Sequence, residues 1–287
     1  MDAPEVAPRP VLIGLIGAGI AASRSPALHM REGAAQGLAY IYRRIDLDQP
    51  GLDAERLPEL IAMARHFGFA GLNITHPCKQ AVIPLIDELS EDARAIGAVN
   101  TLVFAGDGRT VGHNTDWYGF AEGMRRELPD APRRRVVQLG GGGAGAAVAH
   151  ALLTLGVEQL AIVDVERERA ERLAAHLNGR FGAGRAVAAG DPGDALADAD
   201  GLVNASPIGM TGHPGMPLAA ALLRRDLWVA DIVYFPLETE LLRTARALGC
   251  RTMAGGTMAV FQAVGAFRLF TGIAPDAARM LRHFASM

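Results

Sequence analysis

Lysine is almost absent from this chain of 287 residues. Lys and Arg together number 28, and Lys79 is the only Lys among them. One remaining Lys needs no functional cause, because compositional bias can leave it by chance. The alternative is a chemical cause. An Arg side chain stays protonated, whereas a Lys amine can give up a proton and take it back near neutral pH.

The chain also has few cysteines and a small net charge. The two cysteines, Cys78 and Cys250, cannot form a disulfide framework, so we expect a reducing cytoplasm as the location. A net charge of −3 gives no reason to expect nucleic acid or a membrane surface as a partner. No apolar run reaches the ~18 residues that a membrane span requires. The start, MDAPEVAPRP, is too polar for a signal peptide.

The composition is that of a globular protein, 50% apolar and 21% charged. Short apolar segments alternate with amphipathic ones, a pattern that predicts parallel β-sheets connected by crossover helices. The predicted strands are VLIGLIG, AYIYRRIDL, GLNIT, AVNTLVF, TVGHNT, VVQL, LAIVDV, DGLVNAS and LWVADIV. The predicted helices include LDAERLPELIAMARHFG, WYGFAEGMRREL, ERERAERLAAHLNG and GGTMAVFQAVGAFRLFTG.

A glycine loop follows the strand VVQL. Gly140, Gly142 and Gly145 match G-x-G-x-x-G, which alone is a weak indication because glycine runs are common in turns. Here a small-residue helix follows, and the next strand leads to Asp164. In dinucleotide-binding domains the glycines let the backbone approach a pyrophosphate, and the later acid accepts hydrogen bonds from the adenosine ribose. This order predicts a dinucleotide site; a purely structural turn is the alternative.

Asp164 also bears on the choice of cofactor. A carboxylate suits the free 2′-hydroxyl of NAD and repels the 2′-phosphate of NADP. Arg167 and Arg169 could form ion pairs with such a phosphate, or they could lie solvated on the helix. Arg169 could also contact the ribose or the adenine. We predict NAD as the cofactor, with NADP as the alternative.

The polar segment PDAPRRR, residues 129–135, precedes the glycine-loop strand and is the candidate linker. We predict a two-domain α/β protein: an N-terminal α/β substrate domain over residues 1–116 and a Rossmann dinucleotide-binding domain over residues 117–255. A cleft between two domains is the expected place for a site.

Polar residues gather at the predicted strand ends of the first domain, where ligands bind in open α/β sheets. Taken singly, each has a structural explanation as a helix cap or a satisfied core amide. Together, their hydroxyls, amides, acid and amine suit a polyhydroxylated small molecule. The set is Ser23, Ser25, Asn73, Thr75, Lys79, Asn100, Thr101, Asn114, Thr115 and Asp116.

Seven segments, in this order, resemble the shikimate dehydrogenase family: SRSP, NITHPCK, GAVNTLV, GHNTD, GGGGAG, NASPIGM and GGTMAVFQA. The resemblance extends from about residue 11 to the C-terminus. Within the family the chain is most similar to the bacterial NAD-dependent quinate/shikimate dehydrogenases, because Asp164 stands where NADP-preferring members usually carry Asn-Arg-Thr. The segments DIVYFPLETELL and RLFTG are also similar to this branch.

The resemblance implies an enzyme that transfers hydride between nicotinamide and the C3 hydroxyl or ketone of shikimate or quinate, which are polyhydroxylated cyclohexene and cyclohexane carboxylates. Lys79 would move the alcohol proton, and Asp116 would orient Lys79 as its catalytic partner. Residues 256–287 would return to the substrate domain. The substrate would be bound by Ser23, Ser25, Asn73, Thr75, Lys79, Asn100, Asp116, Tyr234 and Gln262. The cofactor would be bound by Gly140, Gly142, Gly143, Ala144, Gly145, Asp164, Arg169, Asn204, Ser206, Gly209, Gly255 and Met258.

Ser25 departs from the quinate/shikimate branch, which often carries Thr at this position, and matches strict shikimate enzymes. Quinate has an extra hydroxyl on the carbon that bears the carboxylate, so this side chain lies where the two substrates differ. The sequence therefore leaves the balance between quinate and shikimate open.

Other functions also stay open. They are an NADP-dependent biosynthetic shikimate or aminoshikimate dehydrogenase, a folate-type dehydrogenase, and a non-catalytic small-molecule sensor. The intact Lys79 and Asp116 argue against a sensor, and the SRS segment argues against a folate enzyme. The histidines show no metal-ligand spacing, so no metal is expected, and His76 and His113 are interpreted as solvated or core residues. The oligomeric state, monomer or homodimer, is not encoded in any motif.

Overall fold

A computed structural model describes residues 10–287, and the polar start interpreted above lies almost wholly outside them. The chain divides into two compact units. The first contains the described residues up to Arg94, together with Ala98–Thr115 and Ala263–Met287. The second contains Ala95–Gly97 and Asp116–Gln262.

The elements of the first half of the chain follow the predicted alternation. They are β1 (Val11–Gly17), α1 (Ser25–Ala35), β2 (Tyr40–Asp46), α2 (Leu57–His66), β3 (Gly71–Ile74), α3 (Cys78–Ala81), β4 (Glu88–Leu89), α4 (Glu91–Ile96), β5 (Thr101–Phe104) and β6 (Thr110–His113). Short 3₁₀ helices cover Ala54–Arg56 and Ile83–Leu85.

The second half forms a further series. It consists of α5 (Asp116–Glu127), β7 (Arg135–Leu139), α6 (Gly143–Thr154), β8 (Gln159–Val163), α7 (Arg167–Phe181), β9 (Ala186–Ala188), α8 (Pro192–Leu196), β10 (Gly201–Asn204), β11 (Trp228–Asp231), α9 (Glu240–Ala247), β12 (Arg251–Met253), α10 (Gly255–Thr271) and α11 (Ala277–Ala285). A third 3₁₀ helix covers Ala220–Leu222.

The sheet of the first unit is mixed. Its strand order is β2-β1-β3-β5-β6-β4, with β1 parallel to both β2 and β3. Strand β5 runs antiparallel to β3 and to β6. The antiparallel pairing of β5 with β6 follows from the turn GDGR, which joins these two strands directly. Strand–helix alternation predicted parallel sheets, which is wrong for this part of the first unit.

Strand β1 lies inside this sheet and is apolar on both faces, as expected for a strand covered on two sides. Ile13 packs on one face in a cluster with Tyr40 and Phe267. Ile16 packs on the other face with Leu57, because alternate side chains of a strand point to opposite sides. The strand ends at a glycine, and the polar residues that follow it belong to the candidate site.

The C-terminal helix of the first unit is fixed to α1 by a buried charge. Glu32 is fully buried and accepts two hydrogen bonds from Arg279, at 2.8 and 2.7 Å. Gln36 and the Asp276 backbone donate to the same carboxylate. Burial alone would raise the pKa of Glu32, but these hydrogen bonds lower it.

The second unit is a doubly wound sheet. All its strand pairs are parallel, in the order β12-β11-β10-β7-β8-β9. Numbered from β7 as the first strand, this order is 6-5-4-1-2-3, the arrangement of dinucleotide-binding domains. The Rossmann prediction is confirmed.

The predicted linker PDAPRRR is not a linker between the units, because residues 129–134 lie within the second unit. Its backbone is held in place: Asp200 accepts from the backbone N–H groups of Arg134 and Arg135, and the Trp228 indole donates to Pro132 O at 2.9 Å. Apart from the short segment Ala95–Gly97, the chain passes from the first unit to the second between Thr115 and Asp116 and returns between Gln262 and Ala263. The functional division at residues 116/117 and 255/256 stays a prediction.

Across residues 10–287, no helix has both the length and the apolar character needed to cross a membrane. Within the same range, no three or more His, Cys, Asp or Glu side chains are grouped so that they could hold a metal ion.

Candidate active site

The strand order of the second unit creates a crevice for a ligand at the carboxyl ends of its strands. The connections from β7 and from β10 leave in opposite directions, so the carboxyl ends of these two strands flank the switch point where doubly wound domains bind ligands. Gly140 follows β7 with a φ of +97°. A Cβ atom at Gly140 would stand 2.7 Å from Ala205 O and 2.9 Å from Ser206 N. Only glycine allows the loops after β7 and β10 to touch in this way.

The remaining glycines of the loop leave the start of α6 open. Gly142 occupies the N-cap position and provides no side-chain cap, so the first amides of α6 are available to a ligand. A Cβ at Gly145 would stand 2.3 Å from Gly140 O, so the helix can approach its own loop only through glycine. Gly143 and Ala144 form the first turn of the helix. This backbone cradle fits a pyrophosphate.

Gln138 holds the glycine loop by hydrogen bonds, a role that the sequence did not predict. This side chain is fully buried in β7. Its amide Nε2 donates to Gly140 O at 2.8 Å and to Gly145 O at 2.9 Å. Its Oε1 has no hydrogen-bond partner among the described residues. A polar residue among the apolar residues that follow Arg135 in the strand RVVQL is the one sequence signal that could have indicated this role.

Replacing Gln138 by Met is expected to weaken NAD and ADP binding alike, by about tenfold, because the carbonyls of Gly140 and Gly145 lose their hydrogen bonds from Gln138 and the loop that would hold the pyrophosphate loosens. Titration calorimetry with each nucleotide measures both dissociation constants. Gln159→Met makes the same exchange at the amino end of the neighbouring strand β8, opposite the loop, and serves as the control. Unchanged affinity in the Gln138→Met variant would contradict the role.

Asp164 follows β8 and faces the glycine loop. Its Oδ2 accepts from Gly141 N at 2.7 Å, and its side chain is 4% exposed. Its Oδ1 accepts from Glu166 N at 2.9 Å and from Arg169 Nη1 at 3.2 Å. Two of the predicted cofactor residues, Asp164 and Arg169, are therefore brought together at the glycine loop.

The two arginines that could answer a 2′-phosphate are both paired with carboxylates. Arg169 donates to Glu166 as well as to Asp164. Arg167 pairs with Glu171 one helical turn further along α7, at 2.8 Å. A phosphate at this place would meet the Asp164 carboxylate and would have to displace these pairs, so the arrangement favours NAD.

Two further predicted cofactor residues form a local hydrogen-bonded unit after β10. Asn204 Oδ1 accepts from Ser206 N at 3.1 Å and from Ser206 Oγ at 2.6 Å. Gly209 lies further along this loop with a φ of +102°. This loop touches Gly140 through Ala205, so it borders the crevice.

Gly255 and Met258, predicted near the nicotinamide, lie at the start of α10. A Cβ at Gly255 would stand 2.4 Å from Ile232 O, so this glycine serves the close approach of α10 to the loop after β11. Gly119 of α5 plays the matching part on the other side, where a Cβ would stand 2.5 Å from Met258 O and 2.8 Å from Gln262 N. Tyr234 lies in the loop after β11 and is 37% exposed.

The predicted substrate residues of the first unit form a buried hydrogen-bond network. Asn73 Nδ2 donates to Thr101 Oγ1 at 3.1 Å and to Asn100 O at 3.2 Å. The Thr101 hydroxyl donates to Asn100 Oδ1, which also accepts from Thr115 N at 2.7 Å. Asn100 Nδ2 donates to the Thr115 hydroxyl. Because both amide protons of Asn73 have protein partners, a ligand would meet Asn73 through its oxygen.

Tyr42 extends this network and was not predicted. Its hydroxyl donates to Asn73 Oδ1 at 2.7 Å, and its side chain is 4% exposed. The inward-facing position of Tyr42 on β2 is visible in the sequence, but its partner on β3 is not. Tyr42 fixes which end of the Asn73 amide is the oxygen.

The two candidate catalytic residues are both anchored next to Asn100. Lys79 lies half-buried in α3, and its carbonyl accepts from Val99 N at 2.8 Å. Asp116 is buried and begins α5, directly after the Thr115 that Asn100 holds. The network thus holds the residue before Asp116, and the backbone of Val99, next to Asn100, holds the carbonyl of Lys79.

Ser23 and Ser25 lie together at the start of α1, where Ser25 N donates to Ser23 Oγ at 3.3 Å. Thr75 follows β3 and packs against the end of β1. A Cβ at Gly17 would stand 2.2 Å from Thr75 Cγ2, so glycine is required there. His113 lies on β6, and burial chiefly lowers its pKa; His76 is exposed.

A doubly wound sheet with a glycine loop and a carboxylate after its second strand defines a dinucleotide-binding domain, and the other unit carries a separate polar network. Residues 15–102 match the family model described as the shikimate dehydrogenase substrate binding domain. The chain belongs to the shikimate dehydrogenase family of oxidoreductases.

Its relatives differ in the cofactor that they are named for. A shikimate dehydrogenase (NADP(+)) from Streptomyces avermitilis is 61% identical, over 96% of this chain and 95% of the relative. A quinate/shikimate dehydrogenase (NAD(+)) from Corynebacterium efficiens is 53% identical, over 96% and 98%. The solved quinate dehydrogenase from Corynebacterium glutamicum in complex with NAD is 51% identical, with a TM-score of 0.91 over 97% of this chain and 99% of that chain.

Proposed function

We propose that this protein is an NAD-dependent dehydrogenase that interconverts the C3 alcohol and the C3 ketone of shikimate, quinate or both. Membership of the family supports the reaction, and the Asp164 geometry supports the cofactor. When bound, NAD accepts the hydride from C3. The glycine loop with Gly140, Gly142, Gly143, Ala144 and Gly145, together with Asp164, Arg169, Asn204, Ser206, Gly209, Gly255 and Met258, would hold the dinucleotide.

The observation that carries the proposed chemistry is the network around Asn100. It supports a site in which Lys79 and Asp116 are held in fixed positions beside hydroxyl- and amide-bearing side chains. Neutral Lys79 would take the proton from the alcohol oxygen as the C3–H bond breaks, and protonated Lys79 would return it in the reverse direction. Asp116 would orient the Lys79 amine and bind a ring hydroxyl. The substrate would be held further by Ser23, Ser25, Asn73, Thr75, Asn100, Tyr234 and Gln262.

A second candidate is an NADP-dependent biosynthetic shikimate dehydrogenase. One observation favours it: the Streptomyces avermitilis relative, at 61% identity, is named for NADP. Under this alternative Arg167 or Arg169 would leave its carboxylate partner and bind the 2′-phosphate. The cytoplasmic location and a monomeric or homodimeric state remain predictions from the sequence.

Initial rates with quinate or shikimate, each with NAD or NADP, test the proposal. The expected result is activity with NAD on shikimate, and any rate with quinate then measures how far Ser25 permits the extra hydroxyl. Activity confined to shikimate with NADP would support the second candidate. Absence of any substrate-dependent nicotinamide reduction would point to the sensor function instead.

A further inference from the structure

A carboxylate is buried in the second half of the doubly wound sheet and has no part in the chemistry proposed above. Asp231 is the last residue of β11 and is fully buried. The hydrogen-bond partners described for it are neutral groups, and a buried carboxylate without a cation is costly. Burial raises the pKa of Asp231 to about 6, against the opposing hydrogen bonds from Thr239, Val233 N and Asn204. The hydrogen bonds of Asp231 therefore have to offset the cost of burying its carboxylate.

Those hydrogen bonds reach three different segments. Asp231 Oδ1 accepts from Asn204 Nδ2 at 3.0 Å and from Val233 N at 3.0 Å. Asp231 Oδ2 accepts from Thr239 Oγ1 at 2.7 Å. The same Thr239 hydroxyl accepts from Leu242 N and so caps α9.

Through Asn204 the carboxylate determines the shape of the loop after β10. The Asn204 amide nitrogen donates to Asp231 and also to Ile208 O, at 2.9 Å, while its oxygen accepts from Ser206. Asp231 can only accept hydrogen bonds when ionised, so it must face the amide nitrogen. This fixes which end of the Asn204 amide faces Ser206.

Through Val233 the carboxylate also fixes the loop after β11, which carries Tyr234. The two loops are joined a second time further out, where Thr211 N donates to Phe235 O at 3.0 Å. Asp231 therefore lies at the base of a pair of connected loops, residues 204–213 and 232–236.

The position of these loops relative to the glycine loop identifies the half of the cofactor that they serve. Asp164 follows β8, on one side of the switch point, and would bind the adenosine ribose. The paired loops follow β10 and β11, on the other side. In a doubly wound domain each half of the sheet binds one mononucleotide, so the paired loops face the nicotinamide half.

We propose that Asp231 is a positioning residue for the nicotinamide half of the dinucleotide, acting through the Asn204 amide and the Val233 backbone. The inference rests on the proposed function, since it presupposes a nicotinamide dinucleotide in the crevice. Asp231 contacts no reacting atom; it holds the two loops in one arrangement.

The test compares two replacements of nearly equal shape. In Asp231→Asn the amide oxygen can accept from Asn204 and Val233 N, and the new nitrogen can donate to the Thr239 hydroxyl, so all three contacts survive. In Asp231→Leu all three are lost. Titration calorimetry of each variant with NAD and with ADP measures the effect, since ADP lacks the nicotinamide and its ribose but keeps the adenosine and the pyrophosphate.

We expect Asp231→Leu to raise the Kd for NAD about tenfold, as loss of buried hydrogen bonds predicts, while the Kd for ADP is unchanged. Asp231→Asn should bind both nucleotides like the wild type. Equal weakening of NAD and ADP in Asp231→Leu, or no weakening of either, would overturn the inference. A wild-type protein that binds ADP but not NAD would overturn the proposed function itself.

Thr239 provides a second pair of variants if Asp231→Leu does not fold. Thr239→Val removes the hydroxyl at constant shape, whereas Thr239→Ser keeps it. The inference requires Thr239→Val to weaken NAD binding more than ADP binding and Thr239→Ser to restore it. Loss of thermal stability without this difference would show that Asp231 and Thr239 only cap α9, and would refute the positioning role.

Discussion

Replacing Lys79 by Arg is expected to lower kcat by about 10²–10⁴-fold, the range that a positioned acid–base group contributes. Arg retains the positive charge and can still attract a carboxylate or hydroxyl of the substrate, but it cannot readily give up a proton and take it back. KM for the substrate should change less than kcat. Steady-state rates with shikimate and NAD give both values, and circular dichroism with a thermal melt confirms that the variant is folded.

Arg56→Lys is the matched control for this variant. It makes the reverse exchange in the same unit, at an exposed pair with Glu59 that contributes little to stability. Its kcat should equal that of the wild type. A near-normal kcat for Lys79→Arg would show that Lys79 binds the substrate without moving its proton.

The scarcity of lysine allows a second, independent measurement. Lys79 is the only side-chain amine of the chain, so an amine-directed reagent can modify only Lys79 and the amino terminus. Activity should fall in step with incorporation at Lys79, and shikimate should protect. Full modification of Lys79 with retained activity would contradict its role in proton transfer.

Replacing Asp164 by Asn is expected to lower the preference for NAD over NADP by about 10²-fold, because a like-charge contact between carboxylate and phosphate costs several kcal/mol. The Asn oxygen can still accept from Gly141 N, so the glycine loop should keep its shape. Arg169 loses one of its two carboxylate partners and becomes available to a phosphate. The ratio of kcat/KM for the two cofactors measures the change.

Asp198→Asn serves as the control for this prediction. Asp198 is an exposed carboxylate of the same unit, paired with Arg135, and its loss should leave the cofactor ratio unchanged. Arg169→Gln in the Asp164→Asn background should remove part of the gained NADP activity. A cofactor ratio that does not respond to Asp164→Asn would mean that Asp164 only shapes the glycine loop.

The sequence revealed the parts of the site that are written in consecutive residues. The glycine loop and Asp164 follow each other along one strand–loop–helix–strand series. Lys79 is conspicuous because it is the only lysine in the sequence. The doubly wound unit was predictable for the same reason, since each of its long strands and helices carries its own periodic pattern.

The parts that were missed depend on contacts that form only when the chain folds. Gln138 needs the glycine loop to fold over it, Tyr42 needs Asn73 of β3 on the far side of β1, and Asp231 needs Asn204 on the neighbouring strand. The strands β4, β9 and β12 have only two or three residues, too few for any alternation to be visible. The linker was misplaced because polar composition does not reveal that Asp200 and Trp228 hold that backbone.

The exposure of Val165, the residue after Asp164, bears on how the coenzyme preference of this fold can change. Val165 is fully exposed, so the fold imposes almost nothing on this position. The family resemblance implies that NADP-preferring members carry Asn-Arg-Thr where this chain has Asp164. Asn at 164 would keep the hydrogen bond to Gly141, and Arg at 165 would replace a side chain with no packing to lose. Neither replacement would cost packing, so this part of the fold is compatible with either coenzyme, and relatives of this chain named for NADP and for NAD are 61% and 53% identical to it.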